Sequence, residues 1–501
     1  MARVRSTRIG GNGFGEMRVH DARLKHFSDY SQPENANCRE TDSSSFKKAV
    51  AIRGVKILRG VIAVILFTVV WRMFYHERPF YFDHMNSVAF ICLMYSGFVI
   101  WFGRIYHAYD VGICPVAEMI TSQYLADFFS AFAVYALASI AGSRFLNPFP
   151  LIALCMVQGL WSITWSLMAN RIYFHIYAPR RTVILYGQES DLRRLGRIDF
   201  IAGGFDVQKY IKEPRDIHQI LREIDGFQVI FVAGLDGSLR DAIVNHCIEN
   251  RIQSYVEPQV GDVLMAGARH VQTFGAPFLK ACRASLAPEY AMIKRSFDII
   301  ASLAGIILAS PLMLVTALAI KLYDGGPALY KQVRLTRDRR EFVIWKFRSM
   351  RVDAEKDGAA RLATEHDDRI TPVGKIIRAI RFDELPQLFN ILSGSMTIVG
   401  PRPERPEIAE RYEKAMPAFS LRLQVKAGLT GYAQVYGRYN SEPFEKLQMD
   451  LMYINNMSLA EDIRLMFATV KVLFMKESAQ GVDEGQTTAL HEKAERGKES
   501  A

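Results

Sequence analysis

Apolar positions fall into two regimes along this chain. From residue 55 to 170 they form four near-continuous runs: VKILRGVIAVILFTVVWRMFY (55–75), SVAFICLMYSGFVIWFG (87–103), ITSQYLADFFSAFAVYALASIAG (120–142) and PLIALCMVQGLWSITWSLMAN (150–170). Each approaches the ~20 residues that cross a bilayer as a helix, which predicts a membrane bundle over 51–175. Arg59 and Arg72 interrupt the first run and are expected to snorkel to the headgroups. Asp127, inside the third, must face protein or water. Lys47, Lys48, Arg53 and Lys56 precede the bundle, and Arg171, Arg180 and Arg181 follow it. The positive-inside rule places both flanks in the cytoplasm, which suits an even number of spans.

Beyond the bundle the runs shorten. TVILYG (182–187), VIFVAG (229–234) and SYVEP (254–258) read as buried strands separated by helical stretches, as in βαβ units. This predicts a Rossmann-like α/β module over 180–280. GQESDL follows the first strand where a dinucleotide fold would carry GxGxxG, which argues against a dinucleotide site and for a regulatory or spacer role.

The stretch IIASLAGIILASPLMLVTALAI (299–320) is uncharged and long enough to span. Ser310-Pro311 falls at its middle, where proline removes a helix hydrogen bond. Lys294 and Arg295 precede it, and Lys321, Lys331 and Arg334 follow. Basic residues on both sides call for both ends on one face. A helix that enters, breaks at Ser310-Pro311 and returns meets both demands; a single crossing is the alternative.

Residues 322–475 mix polar and apolar positions. ALYKQVRL and EFVIWKFRSM read as two strands around the charged turn TRDRR (336–340). Residues 445–474 read as an amphipathic helical end lying on the membrane. The first 50 residues and the last 25 are polar and are expected to be disordered tails, the first without the apolar core of a signal peptide. GGNGFG (10–15) belongs to the first tail.

Composition narrows the partners. The chain has 501 residues and a net charge of +10, which points to anionic lipids or phosphorylated substrates. Its six cysteines are scattered, without a CxxC pair, and no HExxH is present, so a structural zinc site is not expected. The basic segments lack interleaved aromatics, which argues against nucleic acid. Lys346, Arg348, Arg369, Arg378, Arg381, Arg402, Arg405 and Arg438 all lie near turn-type sequence. Guanidinium forks there suit phosphate oxygens.

Among these cations stands RFDELPQLFN (381–390). Pro386 suits the first turn of a helix, which would put Asp383 at or near its N-cap. That is one reading of the two acids. The other is chemical: Mg²⁺ takes one or two carboxylates together with phosphate oxygens, and a carboxylate can attack phosphorus.

The ordered series KRSFDII, LASP, LYKQVRLTRD, WKFRSM, DDRITPVGKIIR, DELPQLFNIL, GSMTIVGPRP and AGLTGYAQVYGR closely resembles the bacterial sugar transferases, the polyprenyl-phosphate glycosyl-1-phosphate transferases. The likeness covers about 292–475, and the four spans with the α/β module resemble the family's long form. It implies a membrane α-helical N-terminal bundle, a Rossmann-like α/β module and a monotopic α/β catalytic domain (290–475) with a re-entrant membrane helix broken at Ser310-Pro311. It further implies that Asp383 attacks the sugar-bearing phosphate of a UDP-sugar and that Glu384 helps as base. Both acids would hold Mg²⁺, UMP would leave, and undecaprenyl phosphate would take up the phosphosugar. Lys346, Arg348, Arg378, Arg381, Arg402, Gln434 and Arg438 would bind the nucleotide and its phosphates, and Lys294, Arg295, Ser310 and Pro311 would meet the lipid. Asp450, Tyr453, Ser458 and Asp462 match a further family pattern, read as structural. The resemblance implies the bacterial inner membrane, a cytoplasmic catalytic face and a homodimer. Arg381 and Phe382 stand where members usually carry serine and leucine, which leaves the sugar open. The competing readings are a membrane transporter and a silent scaffold of glycan assembly.

Overall fold

The computed structural model describes residues 42–75, 84–112, 114–143, 145–196, 204–213, 216–273, 276–284, 286–354, 367, 369–437 and 442–473. The expected C-terminal tail, the GGNGFG stretch and residues 1–41 of the expected N-terminal tail lie outside these residues, whereas residues 42–50, expected to be disordered, are helical. The chain divides into two units, Met1–Leu58 and Arg59–Ala501. The described part of the first is the opening turns of one long helix.

That helix, α1 (Asp42–Phe74), is followed by α2 (His84–Ile105), α3 (Val116–Ala141) and α4 (Phe149–Ile176). All four are long and apolar enough to cross a membrane. Inward faces meet around Phe67, Trp71, Ile91, Tyr95, Val134 and Leu154, with the rings of Phe67 and Tyr95 stacked at 3.9 Å. Outward positions such as Leu93, Ile100, Phe132, Ile152 and Leu160 stay exposed and apolar, the pattern of a lipid-facing surface. Arg59 departs from expectation. It does not snorkel; it is fully buried, and its Nη2 lies 2.8 Å from Asp127 Oδ2 and 3.2 Å from the Gln123 carbonyl. Asp127 thus faces protein, as required of an acid there. Arg59 sits far enough inside the helix that pairing with Asp127 is the shorter route to a counter-charge.

The α/β module contains β1 (Arg180–Tyr186), α5 (Glu189–Leu195), β2 (Phe205–Lys212), α6 (Ile217–Ile224), β3 (Val229–Ala233), α7 (Gly237–Glu249), β4 (Gln253–Val256) and α8 (Val260–Ala266). The four strands form one sheet in the order β2-β1-β3-β4, and all three pairings are parallel. β3 is buried throughout and β1 over its last five residues, which is why both read as apolar runs. β2 was not anticipated. It is an edge strand whose alternate residues, Asp206, Gln208 and Lys212 among them, face solvent. A two-stranded hairpin, β5 (Arg269–Thr273) with β6 (Ala276–Lys280), follows.

The C-terminal α/β domain opens with α9 (Pro288–Asp324), which runs helical through Pro311, so the expected break at Ser310-Pro311 does not interrupt the helix. Next come the antiparallel pair β7 (Leu329–Leu335) and β8 (Glu341–Phe347) around the charged turn, as anticipated. They are followed by α10 (Pro372–Ala379), α11 (Gln387–Ser393), β9 (Thr397–Val399), α12 (Pro406–Ala415), β10 (Gly428–Thr430), the short α13 (Tyr432–Val435), α14 (Pro443–Asn455) and α15 (Leu459–Leu473). β9 and β10 pair in parallel. They approach so closely at Gly400 and Gly428 that a Cβ on Gly428 would collide with the Gly400 backbone.

The last two helices correct the membrane-surface expectation. On α14, Leu447, Leu451, Tyr453 and Ile454 are buried in the domain's main core, together with Val263 of α8. On α15, Phe467 packs edge-on against Phe102 (4.9 Å) and Phe129 (5.2 Å) of the bundle, and Lys471 pairs with Glu118 at 2.7 Å. Their apolar faces are covered by protein rather than by lipid.

The Arg59–Asp127 pair generates a prediction. Removing one partner of a buried pair strands the other charge, at a cost of about 3–5 kcal/mol, whereas removing both is far milder. Asp127→Leu should therefore lower the thermal midpoint in detergent, and adding Arg59→Met should restore much of the loss. A double variant as unstable as the sum of its singles would contradict this account of the pair.

Candidate active site

The two acids lie in a 3-10 turn of their own, Phe382–Glu384, ahead of α11. Helix α11 starts at Gln387, its N-cap is Pro386, and no side chain caps either element. The helix-cap reading of Asp383 is therefore set aside. Arg381 opens the turn in the left-handed region (φ 59°), a conformation that costs a non-glycine residue of order 1 kcal/mol or more and persists only where the surroundings enforce it.

The acids are neighbours in sequence and opposite in situation. Glu384 Oε1 accepts from Lys346 Nζ (3.2 Å) on β8 and from Arg402 Nη2 (3.0 Å), with Arg381 Nη1 at 4.0 Å. Burial works against its charge, but the cations of Lys346, Arg402 and Arg381 prevail and hold the carboxyl far below the usual range. Asp383 has no hydrogen bond or ion pair among the described residues. Burial and the adjacent Glu384 charge push its carboxyl up, against the pull of Lys346, Arg378 and Arg381. Lys346 is itself pushed down, by burial and by Arg402 and Arg334, with Glu384 and Asp383 opposing. One acid is fixed as an anion, and the other is a raised, unpartnered carboxyl beside three cations.

Arg402 reaches Glu384 from the turn Gly400–Glu404, which leaves β9 and carries prolines at 401 and 403. Arg378, in the last turn of α10, bears on Asp383 by charge and shows no side-chain hydrogen bond among the described residues.

Other expected site residues serve different ends. Arg348 is buried, and both its terminal nitrogens go to Asp324 (Nη1 to Oδ2, 2.7 Å) while Nε donates to the Pro327 carbonyl at 2.8 Å. It clips the end of α9 to β8 and has little left for a phosphate. Lys294 pairs with Asp462 at 2.7 Å and Arg295 donates to the carbonyls of Ile391 and Leu392 (2.7 and 2.8 Å) at the C-terminal end of α11, where the helix dipole favours a cation. Both fasten the start of α9 instead of facing a lipid. Gln434 donates to the Leu429 carbonyl at 2.8 Å, inside the β10–α13 turn. Ser310 and Pro311 lie in the exposed middle of α9, and the Ser310 hydroxyl turns back to the Ile307 carbonyl (2.8 Å). Arg438 lies outside the described residues. The structural reading of Tyr453 and Asp462 holds: Tyr453 donates to Asp462 Oδ1 at 2.8 Å, and Tyr290 and Lys294 share the other oxygen.

Asp298 had drawn no attention in the sequence. Buried on α9, it accepts from the Thr397 hydroxyl (2.8 Å) and the Ile398 amide (3.0 Å), and so ties β9 to the membrane helix. The signals available were an acid at the edge of an apolar run and its place in the KRSFDII stretch.

The donors suit Mg²⁺ of the kind held by one or two carboxylates with phosphate oxygens and waters. Asp383 has both oxygens uncommitted, and Glu384 retains Oε2, since its three cations all address Oε1. The described residues contain no cluster of three or more His, Cys, Asp or Glu that would form an all-protein cage.

In the α/β module an acid lines the crevice that doubly wound folds use for ligands, beside a cavity of about 340 Å³ at Gly234, Arg240 and Glu257. Asp191 Oδ2 accepts from the Gln188 amide at 2.7 Å and abuts Gly234, while Oδ1 pairs with Arg194 at 2.7 Å. A carboxylate of the chain thus occupies the start of α5, where such folds receive phosphate. Arg194 also meets Glu257 (3.1 Å) and Glu442 of the C-terminal domain (3.4 Å).

Comparison with known proteins places the C-terminal sequence. The family model for bacterial sugar transferases matches residues 289–476. The chain is 42% identical over 189 residues to UDP-N-acetylgalactosamine-undecaprenyl-phosphate N-acetylgalactosaminephosphotransferase of Aeromonas hydrophila, covering 37% of this chain and 44% of that one. It is 33% identical over 288 residues to UDP-glucose:undecaprenyl-phosphate glucose-1-phosphate transferase of Klebsiella pneumoniae, covering 56% and 62%. A protein of the same description from Caulobacter vibrioides is 40% identical over 191 residues, covering 37% of this chain and 71% of its own length. The match spans about half the length of the first two relatives.

The raised carboxyl of Asp383 predicts a pH dependence. If its anion is the reactive form, the rate falls as pH drops through its pKa. Lys346 lowers that pKa, so Lys346→Met should move the acid limb of the pH–rate profile to higher pH as well as slowing the reaction. An acid limb that stays in place or moves to lower pH would detach it from Asp383.

Proposed function

The chain belongs to the bacterial sugar transferase family, and from that premise we propose that it transfers a sugar 1-phosphate from a UDP-sugar to undecaprenyl phosphate. UMP is released, and the lipid-linked product starts the assembly of an exopolysaccharide, capsule or O-antigen. The observation that carries the reading is the asymmetry of the acids: Glu384 is neutralised by Lys346, Arg402 and Arg381, while Asp383 has no partner among the described residues.

In the first half-reaction an Asp383 carboxylate oxygen attacks the phosphorus that carries the sugar. The bond from that phosphorus to the UMP oxygen breaks, and UMP leaves with the electron pair. The phosphosugar stays on the aspartate as an acyl phosphate. In the second, an oxygen of undecaprenyl phosphate attacks the same phosphorus and the Asp383 carboxylate is released. A covalent step divides one hard transfer into two easier ones. Lys346, Arg378 and Arg402 stand where negative charge grows on the phosphoryl oxygens. Glu384 anchors Lys346 and Arg402, and its Oε2 is available to a cation. Mg²⁺, held by Asp383 and Glu384, would supply charge neutralisation at the phosphates.

The membrane placement follows the same reading. Helix α9 is fastened to the C-terminal domain at both ends, through Lys294, Arg295 and Asp298 at one and through Asp324 and Arg348 at the other. Its middle exposes Ile307, Leu308, Leu314 and Val315. Two ends on one polar domain and an apolar middle support a re-entrant helix, with the dyad at the headgroup plane of the inner membrane's cytoplasmic face. The parallel sheet of 180–280 supports a Rossmann-like module in a structural or regulatory role.

UMP release tests the proposal. With a panel of UDP-sugars, Mg²⁺ and undecaprenyl phosphate, one sugar should support turnover, and Asp383→Asn should abolish it, a loss on the order of 1,000-fold or more. Glu384→Gln should slow it by frustrating Lys346 and Arg402. Absence of UMP from every sugar, or full activity in Asp383→Asn, would refute the mechanism.

A further inference from the structure

Arg402 is one side of the Glu384 clamp, and its side chain can be aimed only if its backbone is fixed. Prolines at 401 and 403 stiffen the turn but remove two of its N–H groups. Two arginines, Arg334 partly buried and Arg422 fully so, grip it by its carbonyls. Arg334 on β7 donates to the Pro403 carbonyl at 3.1 Å. Arg422, in the 3-10 stretch Pro417–Gln424, donates through Nη2 to the Arg402 carbonyl at 2.8 Å.

The Arg422 guanidinium is almost completely enclosed, with the Phe419 ring 4.9 Å away. Nη2 also lies 2.7 Å from Asp450 Oδ2, and Nη1 lies 3.5 Å from Glu404 Oε1. Asp450 is 1% exposed, on α14. Two enclosed charges are costly to bury and are tolerated when paired. This pair sits directly behind the turn that presents Arg402, with no atom of either residue placed against Asp383 or Glu384.

We propose that Arg422, held by Asp450, is a positioning residue that fixes the Arg402 backbone and through it the clamp on Glu384. The consequence for rate rests on the transferase reading above; the consequence for the turn does not. Helix α14 also bears on the α/β module, since Gln448 donates to the Pro258 carbonyl and Asn455 to the Val263 carbonyl (2.6 Å). The turn at Arg402 is thus built on a helix that the module itself supports.

Two measurements test this. In UMP release, Arg422→Met should lower kcat on the order of 100-fold, the penalty of a misplaced reactive group, with KM for the UDP-sugar within about two-fold. If Arg422 acts through Arg402, the double variant Arg402→Met/Arg422→Met should be no slower than Arg402→Met alone. Arg422→Met/Asp450→Leu removes both buried charges and guards against a folding defect; it should melt nearer to wild type and stay slow. Independently of turnover, hydrogen exchange in Arg422→Met should quicken at residues 400–405 and stay unchanged in β1 and β3. Unchanged exchange at 400–405, or rate losses that multiply in the double variant, would overturn the proposal. A wild-type protein that releases no UMP would instead count against the transferase reading, and exchange would then decide the positioning role alone.

Discussion

The arrangement at residues 381–384 turns on one constraint: two adjacent carboxylates cannot both be buried anions without cations to hold them. The chain meets it unequally. Lys346, Arg402 and Arg381 converge on a single oxygen of Glu384, and Asp383 is left raised and unpartnered among the described residues. Each surrounding element can be traced to that requirement. The β7–β8 hairpin delivers Lys346, and the close β9–β10 pairing throws out the Gly400–Glu404 turn with Arg402. Arg381 takes up a left-handed backbone to open the acid turn.

The membrane segments follow a related rule. Two buried charges on them are met by protein, Arg59 by Asp127 and Asp298 by Thr397 and Ile398. The bundle reaches the C-terminal domain through α15, where aromatic packing around Phe467 and the Lys471–Glu118 pair join it to α2 and α3.

Much of this was legible in the sequence, for physical reasons. Four long apolar runs, the buried strands β1 and β3 and the charged hairpin each carry a strong local pattern. The edge strand β2 does not, because half its residues face water. Arg59 looked like a snorkelling residue because the sequence does not reveal which side of a helix a neighbour's acid will occupy. The two acids stood out by their company of arginines, with a cap and a chemical role both open, and their local structure was misread: Pro386 suggested a cap at Asp383, whereas the chain inserts a separate 3-10 turn. Arginines were the least legible. Arg348 looked like a phosphate ligand, and Lys294 and Arg295 like lipid contacts; all three are fasteners, because a cation that suits phosphate suits a carboxylate or a helix end equally well.

The central claim is that Asp383 is the unpartnered nucleophile of the pair. The most direct measurement is intact and peptide-level mass analysis of the protein in lipid, incubated with Mg²⁺ and a UDP-sugar but no undecaprenyl phosphate. The account predicts a phosphosugar adduct confined to the peptide holding Asp383, lost on adding undecaprenyl phosphate and absent from Asp383→Asn. An adduct on another residue, or UMP release only with undecaprenyl phosphate and with no adduct at any time, would contradict it.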